Sequence, residues 1–196
     1  MNTPNKLTVL RLIMVPFYVF FILVPVPHHY LISAAIFGAA AYTDHLDGKL
    51  ARKYNMITDF GKFADPLADK IMILAALACF IQVGITNAVI LIIIVAREFM
   101  VTSIRLVASS QGKVVAANKW GKAKTVSQIA AVLLILLMQY ILELHQLGLI
   151  TLGAPEALSF WFGVLADVLL WITAALTVIS GVIYIVQNFG FIRNAK

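Results

Sequence analysis

Residues 44–69 read DHLDGKLARKYNMITDFGKFADPLAD. Aspartates 44, 47, 59, 65 and 69 are interleaved with Lys49, Arg52, Lys53 and Lys62, and apolar runs lie on both sides. Across the 196-residue chain, 62% of residues are hydrophobic and only 12% are charged. A soluble domain of this size has too much surface to hide that much apolar side chain. The stretch therefore reads as a polar boundary between two membrane helices. The apolar runs do not alternate with period two, which excludes barrel strands.

A helix needs roughly 20 residues to cross the hydrocarbon core. Spans are expected near 8–27, 31–52, 61–83, 87–109, 123–145 and 161–187. The fold class is thus all-α, a polytopic membrane protein with six transmembrane helices and one domain over 1–196. Pro16 and Pro25 are expected to bend the first span. The last apolar stretch is too long for one upright crossing, so its start is expected to lie along the interface and turn inward near Gly163. The N-terminal run from Leu12 to about Pro27 reads as a retained span, because no small-x-small cleavage site follows it. Cys79 is the only cysteine. It cannot form an internal disulfide and reads as packing.

Charge gives the orientation. The connections at 25–31, 82–88 and 145–158 contain no Lys or Arg, and the basic residues gather at the opposite helix ends. By the positive-inside rule those ends, and both termini, are expected to be cytoplasmic. The net charge of +6 then faces anionic headgroups or phosphate substrates; no nucleic-acid partner is implied.

At about 100° per residue, Asp44, Asp47, Gly48 and Ala51 share one face of the second helix. Asp65 and Asp69, four apart, share a face of the third, with Gly61 one turn earlier. Carboxylates at membrane depth cost ~3 kcal/mol each on insertion scales. Four of them together repel one another unless partnered. Neutralisation by Lys49, Arg52, Lys62 and Lys70 is one solution; two divalent cations are the other. Oxygen-only ligands favour Mg²⁺ or Mn²⁺ over zinc. Gly48, Ala51 and Gly61 leave room on the acidic face or serve close helix packing. Arg52 reaches back toward a phosphate. Asn5, Thr8 and Arg11 begin the first span at the interface, where Asn and Thr can cap the helix. Thr58 caps the third helix or donates to a phosphate.

Arg97 falls mid-span, where a lone guanidinium is costly. Glu98 is its neighbour in sequence and does not share its face, so a helix-local ion pair is a poor explanation. Arg105, two turns on, and Lys122 and Lys124 in the fifth helix complete a cationic group suited to a phosphate. Arg105 with Lys124 are the expected main contacts, with Arg97 in support. The lysines also fit ordinary membrane anchoring. The last third of the chain shows only apolar span character, and Asp167 is expected to be the one carboxylate in the outer half.

The pattern Asp44-x2-Asp47-Gly48-x2-Ala51-Arg52-x8-Gly61-x3-Asp65-x3-Asp69 resembles the signature of the CDP-alcohol phosphotransferase family at every position and spacing. The resemblance implies a six-helix membrane enzyme that passes a phosphatidyl or similar group from a CDP-linked donor to an alcohol and releases CMP. It implies two metal ions on Asp44, Asp47, Asp65 and Asp69, with Asp69 also the general base. Donor contacts would come from Asn5, Thr8, Gly48, Ala51, Arg52, Thr58 and Gly61. Pro4-Asn5-Lys6-Leu7-Thr8-x2-Arg11, Arg97-Glu98-Phe99, Arg105-Leu106-Val107-Ala108 and Gly121-Lys122-x-Lys124-Thr125 resemble a bacterial branch. That branch implies CDP-diacylglycerol as donor and sn-glycerol 3-phosphate as acceptor. It also implies a homodimer in the cell membrane, surrounded by membrane lipids, with its active site at the cytoplasmic face. Inositol phosphate or serine as acceptor, and a divalent-cation transporter, are the competing readings.

Overall fold

A computed structural model describes residues 3–54, 59–110 and 119–193. Six helices follow one another: α1 (Thr3–Leu23), α2 (His29–Tyr54), α3 (Asp59–Gln82), α4 (Ala88–Ser110), α5 (Lys119–Gln146) and α6 (Pro155–Arg193). Among the described residues there is no strand. Four of the six expected spans, the second to the fifth, coincide with helices to within four residues at each bound; the first is shifted toward the N-terminus and the last helix overruns its expected bounds at both ends. α1 continues through Pro16 and stops at Leu23, ahead of Pro25 and Pro27, which deny the next turn its N–H donors.

The described connections use recognisable stops. At the end of α3, Gly84 takes φ +78°. Its N–H bonds Ile81 O, and Ile85 N–H reaches back to Phe80 O. The end of α5 repeats the arrangement with Gly148 at φ +71°, bonding His145 O, while Leu149 bonds Leu144 O. Only glycine holds that left-handed position without strain. Asn87 starts α4 by accepting the Val89 N–H at 3.0 Å, and Pro155 stands at the first position of α6.

The α2 N-terminus is capped from another helix. Glu143 of α5 accepts the His29 and Tyr30 N–H groups at 3.1 and 3.3 Å, and His28 Nδ1 meets Tyr140 Oη at 3.1 Å. A carboxylate here satisfies free donors and complements the helix dipole. Glu143 is buried. The expectation that Asp167 is the one carboxylate in this half therefore fails. Asp167 itself is exposed.

α1 packs on α2 and α3, α2 on α5, and α6 on both α4 and α5. The main core gathers Tyr18, Phe37, Phe80, Ile94, Ile135 and Leu170; Val101, Ile104 and Tyr184 form a second cluster. Large apolar side chains such as Phe17, Phe99, Trp161 and Val186 cover the outside, while Arg11, Lys124, Gln128 and Ser180 are buried. The core stays apolar, but so many large apolar side chains on the outside depart from the pattern of a water-soluble protein, as expected where lipid surrounds the bundle. Within the described residues, α1, α5 and α6 are long and apolar enough to cross a membrane on their own.

The expected turn at Gly163 is absent: α6 is a single 39-residue helix. At 1.5 Å per residue that is ~58 Å, about twice the hydrocarbon thickness. Its opening turns are exposed almost throughout, so the extra length projects beyond the packed bundle.

Candidate active site

Away from the glycine turns, all six helices border one cavity of about 480 Å³. α1 contributes Arg11, α2 Asp44, α3 Lys70, α4 Arg97, Glu98 and Arg105, α5 Lys122 and Lys124, and α6 Tyr184. Residues from position 11 to position 184 thus meet where the acidic motif begins. The cavity unites Asp44 with all four residues expected to hold a phosphate.

α1 begins at Thr3, so Asn5 and Thr8 are interior helix residues rather than caps. With Arg11, Tyr18 and Ile22 they form its buried face. Arg11 Nη1 lies 3.1 Å from Asp44 Oδ1. The guanidinium is 2% exposed and the carboxylate 42%. The alternative to metal ions was neutralisation by Lys49, Arg52, Lys62 and Lys70; among the described residues the cation beside Asp44 is Arg11, 33 residues away.

Asp44 is the one member of the four-aspartate set whose side chain the structure describes. Asp47, Gly48, Ala51 and Arg52 lie on α2, and Gly61, Asp65 and Asp69 on α3; their side chains are outside the described residues, as is the whole of Thr58. Among the described residues no cluster of three His, Cys, Asp or Glu exists. Of the four aspartates only Asp44 is described, an oxygen donor of the type that hard cations take. The cavity border includes Asp44 and Glu98 and, among the described residues, no His or Cys.

The opposite wall is cationic and internally paired. Glu98 accepts Arg97 Nη1 at 3.0 Å, bonds Lys124 Nζ and stands 4.0 Å from Lys70 Nζ. Lys70 also donates to Thr102. Arg97 and Glu98 therefore do pair, contrary to expectation. Both side chains are long enough to curl toward one another despite adjacent backbone positions. Lys124 is buried and committed to Glu98, not presented free for a phosphate. Lys122 is exposed at the border. Arg105 donates from Nε to Tyr184 Oη at 3.2 Å. Its terminal amino groups have no bonded partner among the described residues, which leaves a forked donor pair of the kind that grips phosphate.

Sequence reasoning missed Glu98 as the hub, Lys70 as its third cation, and the α6 contribution. Thr173, Thr177, Ser180, Tyr184 and Asn188 are all buried on α6. Their spacing of 4, 3, 4 and 4 is a polar helical stripe, and it was legible in a segment taken as purely apolar.

The description "CDP-alcohol phosphatidyltransferase" belongs to the family model that matches residues 1–179. A Bacillus subtilis protein named CDP-diacylglycerol–glycerol-3-phosphate 3-phosphatidyltransferase is 39% identical over 100% of this chain and 99% of its own length. A Haemophilus influenzae protein of the same name is 36% identical, covering 82% of this chain and 88% of the relative. A Mycobacterium tuberculosis protein named probable phosphatidylglycerophosphate synthase is 36% identical over 98% and 85%. With its acidic signature intact and nearly its whole length matched, the chain belongs to the CDP-alcohol phosphatidyltransferase family.

Proposed function

We propose that the protein transfers the phosphatidyl group of CDP-diacylglycerol to sn-glycerol 3-phosphate, forming phosphatidylglycerophosphate and CMP. The observation that carries this reading is the shared cavity. Asp44 of the acidic motif stands on one wall, and Arg105, Lys122 and Lys124 stand on another. The full-length relatives carry the name of the same reaction.

The acceptor's C1 hydroxyl attacks the phosphorus that bears diacylglycerol. An O–P bond forms, the bond to CMP breaks, and Asp69 takes the hydroxyl proton as the new bond develops. No covalent enzyme intermediate is involved. Asp44, Asp47, Asp65 and Asp69 would hold two Mg²⁺ or Mn²⁺ ions. Bound there, the ions would polarise phosphoryl oxygens and offset charge on the departing nucleotide. Gly48, Ala51 and Gly61 give the donor space, and Arg52, Thr58, Asn5 and Thr8 hold its headgroup. Arg105 and Lys122 take the acceptor phosphate. Lys124 joins them by exchanging Glu98 for the incoming dianion, and Arg97 supports the wall.

All six helices cross the bilayer as one domain, with both termini and the cavity at the cytoplasmic face of a bacterial cell membrane. The Lys- and Arg-free connections at the other end support this orientation. The working form is a homodimer, as the family resemblance implies. The deciding experiment incubates purified protein with CDP-diacylglycerol, glycerol 3-phosphate and Mg²⁺, with and without chelator, and identifies the lipid. Phosphatidylglycerophosphate formed only with metal is expected. Product from inositol phosphate or serine instead would overturn the assigned acceptor.

A further inference from the structure

We infer that Ser180 and Tyr184 of α6 are positioning residues that hold the Arg97 and Arg105 guanidiniums on the cavity wall, so that α6 sets how tightly a phosphorylated acceptor is held. The inference rests on the proposed reaction for its kinetic readout, but its geometry stands alone. Ser180 and Tyr184 are four apart on one face of α6 and are buried. Arg97 Nη2 donates to Ser180 Oγ at 2.6 Å. Arg105 Nε donates to Tyr184 Oη at 3.2 Å, and its guanidinium carbon lies 5.7 Å from the Tyr184 ring centre. One turn of α6 thus engages two cations that stand eight residues apart on α4.

A hydroxyl stripe in a membrane helix serves packing by default, and its other members behave that way. Thr173 donates to Leu170 O, Thr177 to Thr173 O and Asn188 to Tyr184 O within α6, and Thr177 also accepts the neutral Gln128 amide of α5 at 3.5 Å. Ser180 and Tyr184 instead accept bonds from cations on another helix. The backbones are also brought close here. A Cβ added to Gly181 would stand 3.1 Å from Arg97 Cγ.

The two contacts differ in consequence. Arg97 has both terminal nitrogens engaged, Nη1 on Glu98 and Nη2 on Ser180. Among the described residues Arg105 is held through Nε alone, which leaves its two amino groups to a ligand. Arginine's rotamer freedom is then already surrendered before the anion arrives, and that loss is not repeated on binding.

The test measures kcat and both KM values for full-length Tyr184→Phe, Ser180→Ala and Ser180→Thr, with Thr173→Val as a stripe control. Tyr184→Phe keeps the ring and removes the hydroxyl. It should raise the glycerol 3-phosphate KM about tenfold, as loss of a hydrogen bond to a charged group would, with kcat and donor KM within about twofold. Ser180→Ala should raise it about threefold by the same bond-loss reasoning, Ser180→Thr should restore it, and Thr173→Val should leave all three constants unchanged. An unmoved acceptor KM, or losses in kcat and donor KM that track the melting temperature in every variant, would overturn the inference. If wild type makes no lipid from glycerol 3-phosphate, the acceptor assignment fails by itself. Inorganic phosphate binding by calorimetry then judges the brace: weaker binding in Tyr184→Phe upholds it, and equal binding ends it.

Discussion

Arg11 Nη1 sits 3.1 Å from Asp44 Oδ1, joining a buried guanidinium on α1 to a half-exposed carboxylate at the cavity. The pair ties α1 to the first residue of the acidic motif. Removing one partner of a fully buried pair costs ~3–5 kcal/mol. Here water reaches Asp44, and screening lowers the figure to ~1–2 kcal/mol. Arg11→Met should therefore lower the melting temperature modestly but leave Asp44 unsteered, with kcat down about tenfold or more, the size of one lost charge-assisted contact. Arg11→Lys should keep much of the stability and less of the rate, because it cannot reproduce the guanidinium's planar fork. Full activity in Arg11→Met would show that Asp44 needs no such support.

The metal reading makes a separate demand on the motif. Asp65→Asn and Asp69→Asn should each cut turnover by about 10²–10⁴-fold, the range for removing a positioned acid–base group. Both should leave the melting temperature in chelator unchanged. Mg²⁺ or Mn²⁺ should raise the melting temperature of wild type, since a ligand that binds only the folded state stabilises it. That rise should shrink in both variants. Metal-independent lipid formation by wild type would remove the two-ion proposal.

Glu98 carries one negative charge among Arg97, Lys124 and Lys70. Glu98→Gln would leave three cations facing one another in a partly buried wall, which is destabilising. Lys124→Met relieves part of that repulsion, so the double variant should be more stable than the sum of the singles predicts. The coupling should lie in the ~1–3 kcal/mol range of residues within one network. A double-mutant cycle on thermal or denaturant unfolding in detergent measures it, and strict additivity would mean the observed Glu98–Lys124 pair contributes nothing.

Gly181 gives a steric prediction whose sign depends on the size of the new residue. A Cβ there would meet Arg97 Cγ at 3.1 Å and Met100 Cε at 3.2 Å. The methionine end can move. Arg97 is held at both amino groups and can give only a few tenths of an ångström. Ala gains up to ~1 kcal/mol in helix propensity over Gly, which offsets the small clash, so Gly181→Ala should be near neutral. Gly181→Leu should lose ~1–3 kcal/mol through overpacking and raise the acceptor KM by displacing Arg97. Melting temperatures of the two variants, measured side by side, decide it.

The helices were legible because apolar runs of bilayer length end at Pro25, Gly84, Gly148 and Pro155, where backbone chemistry enforces a break. Gly163 misled because it keeps a helical backbone within α6, whereas Gly84 and Gly148 take the positive φ that ends a helix. The acidic motif pointed to the site through its spacing alone. Its partners were not legible. Arg11 and Asp44 are distant in sequence, and only the packing of α1 on α2 joins them. Arg97 with Glu98 was dismissed by helix-face geometry, which ignores how far long side chains swing. The α6 stripe had a readable period but was diluted by the surrounding valines and isoleucines.

The acceptor's charge can be tested at Arg105, which lines a cavity shared with lysines and whose amino groups have no bonded partner among the described residues. A phosphorylated acceptor should feel that charge and a neutral or zwitterionic one should not. Arg105→Ala is thus expected to raise the glycerol 3-phosphate KM by about tenfold or more, the cost of a lost charge-assisted contact. The KM for CDP-diacylglycerol should stay unchanged. Arg105→Lys should recover part of the loss, because an ammonium restores charge but not the two-pronged grip. Added salt should raise the wild-type acceptor KM more steeply than that of Arg105→Ala, because one screened attraction is missing from the variant. If Arg105→Ala binds glycerol 3-phosphate as wild type does at every ionic strength, the acceptor phosphate lies elsewhere in the cavity.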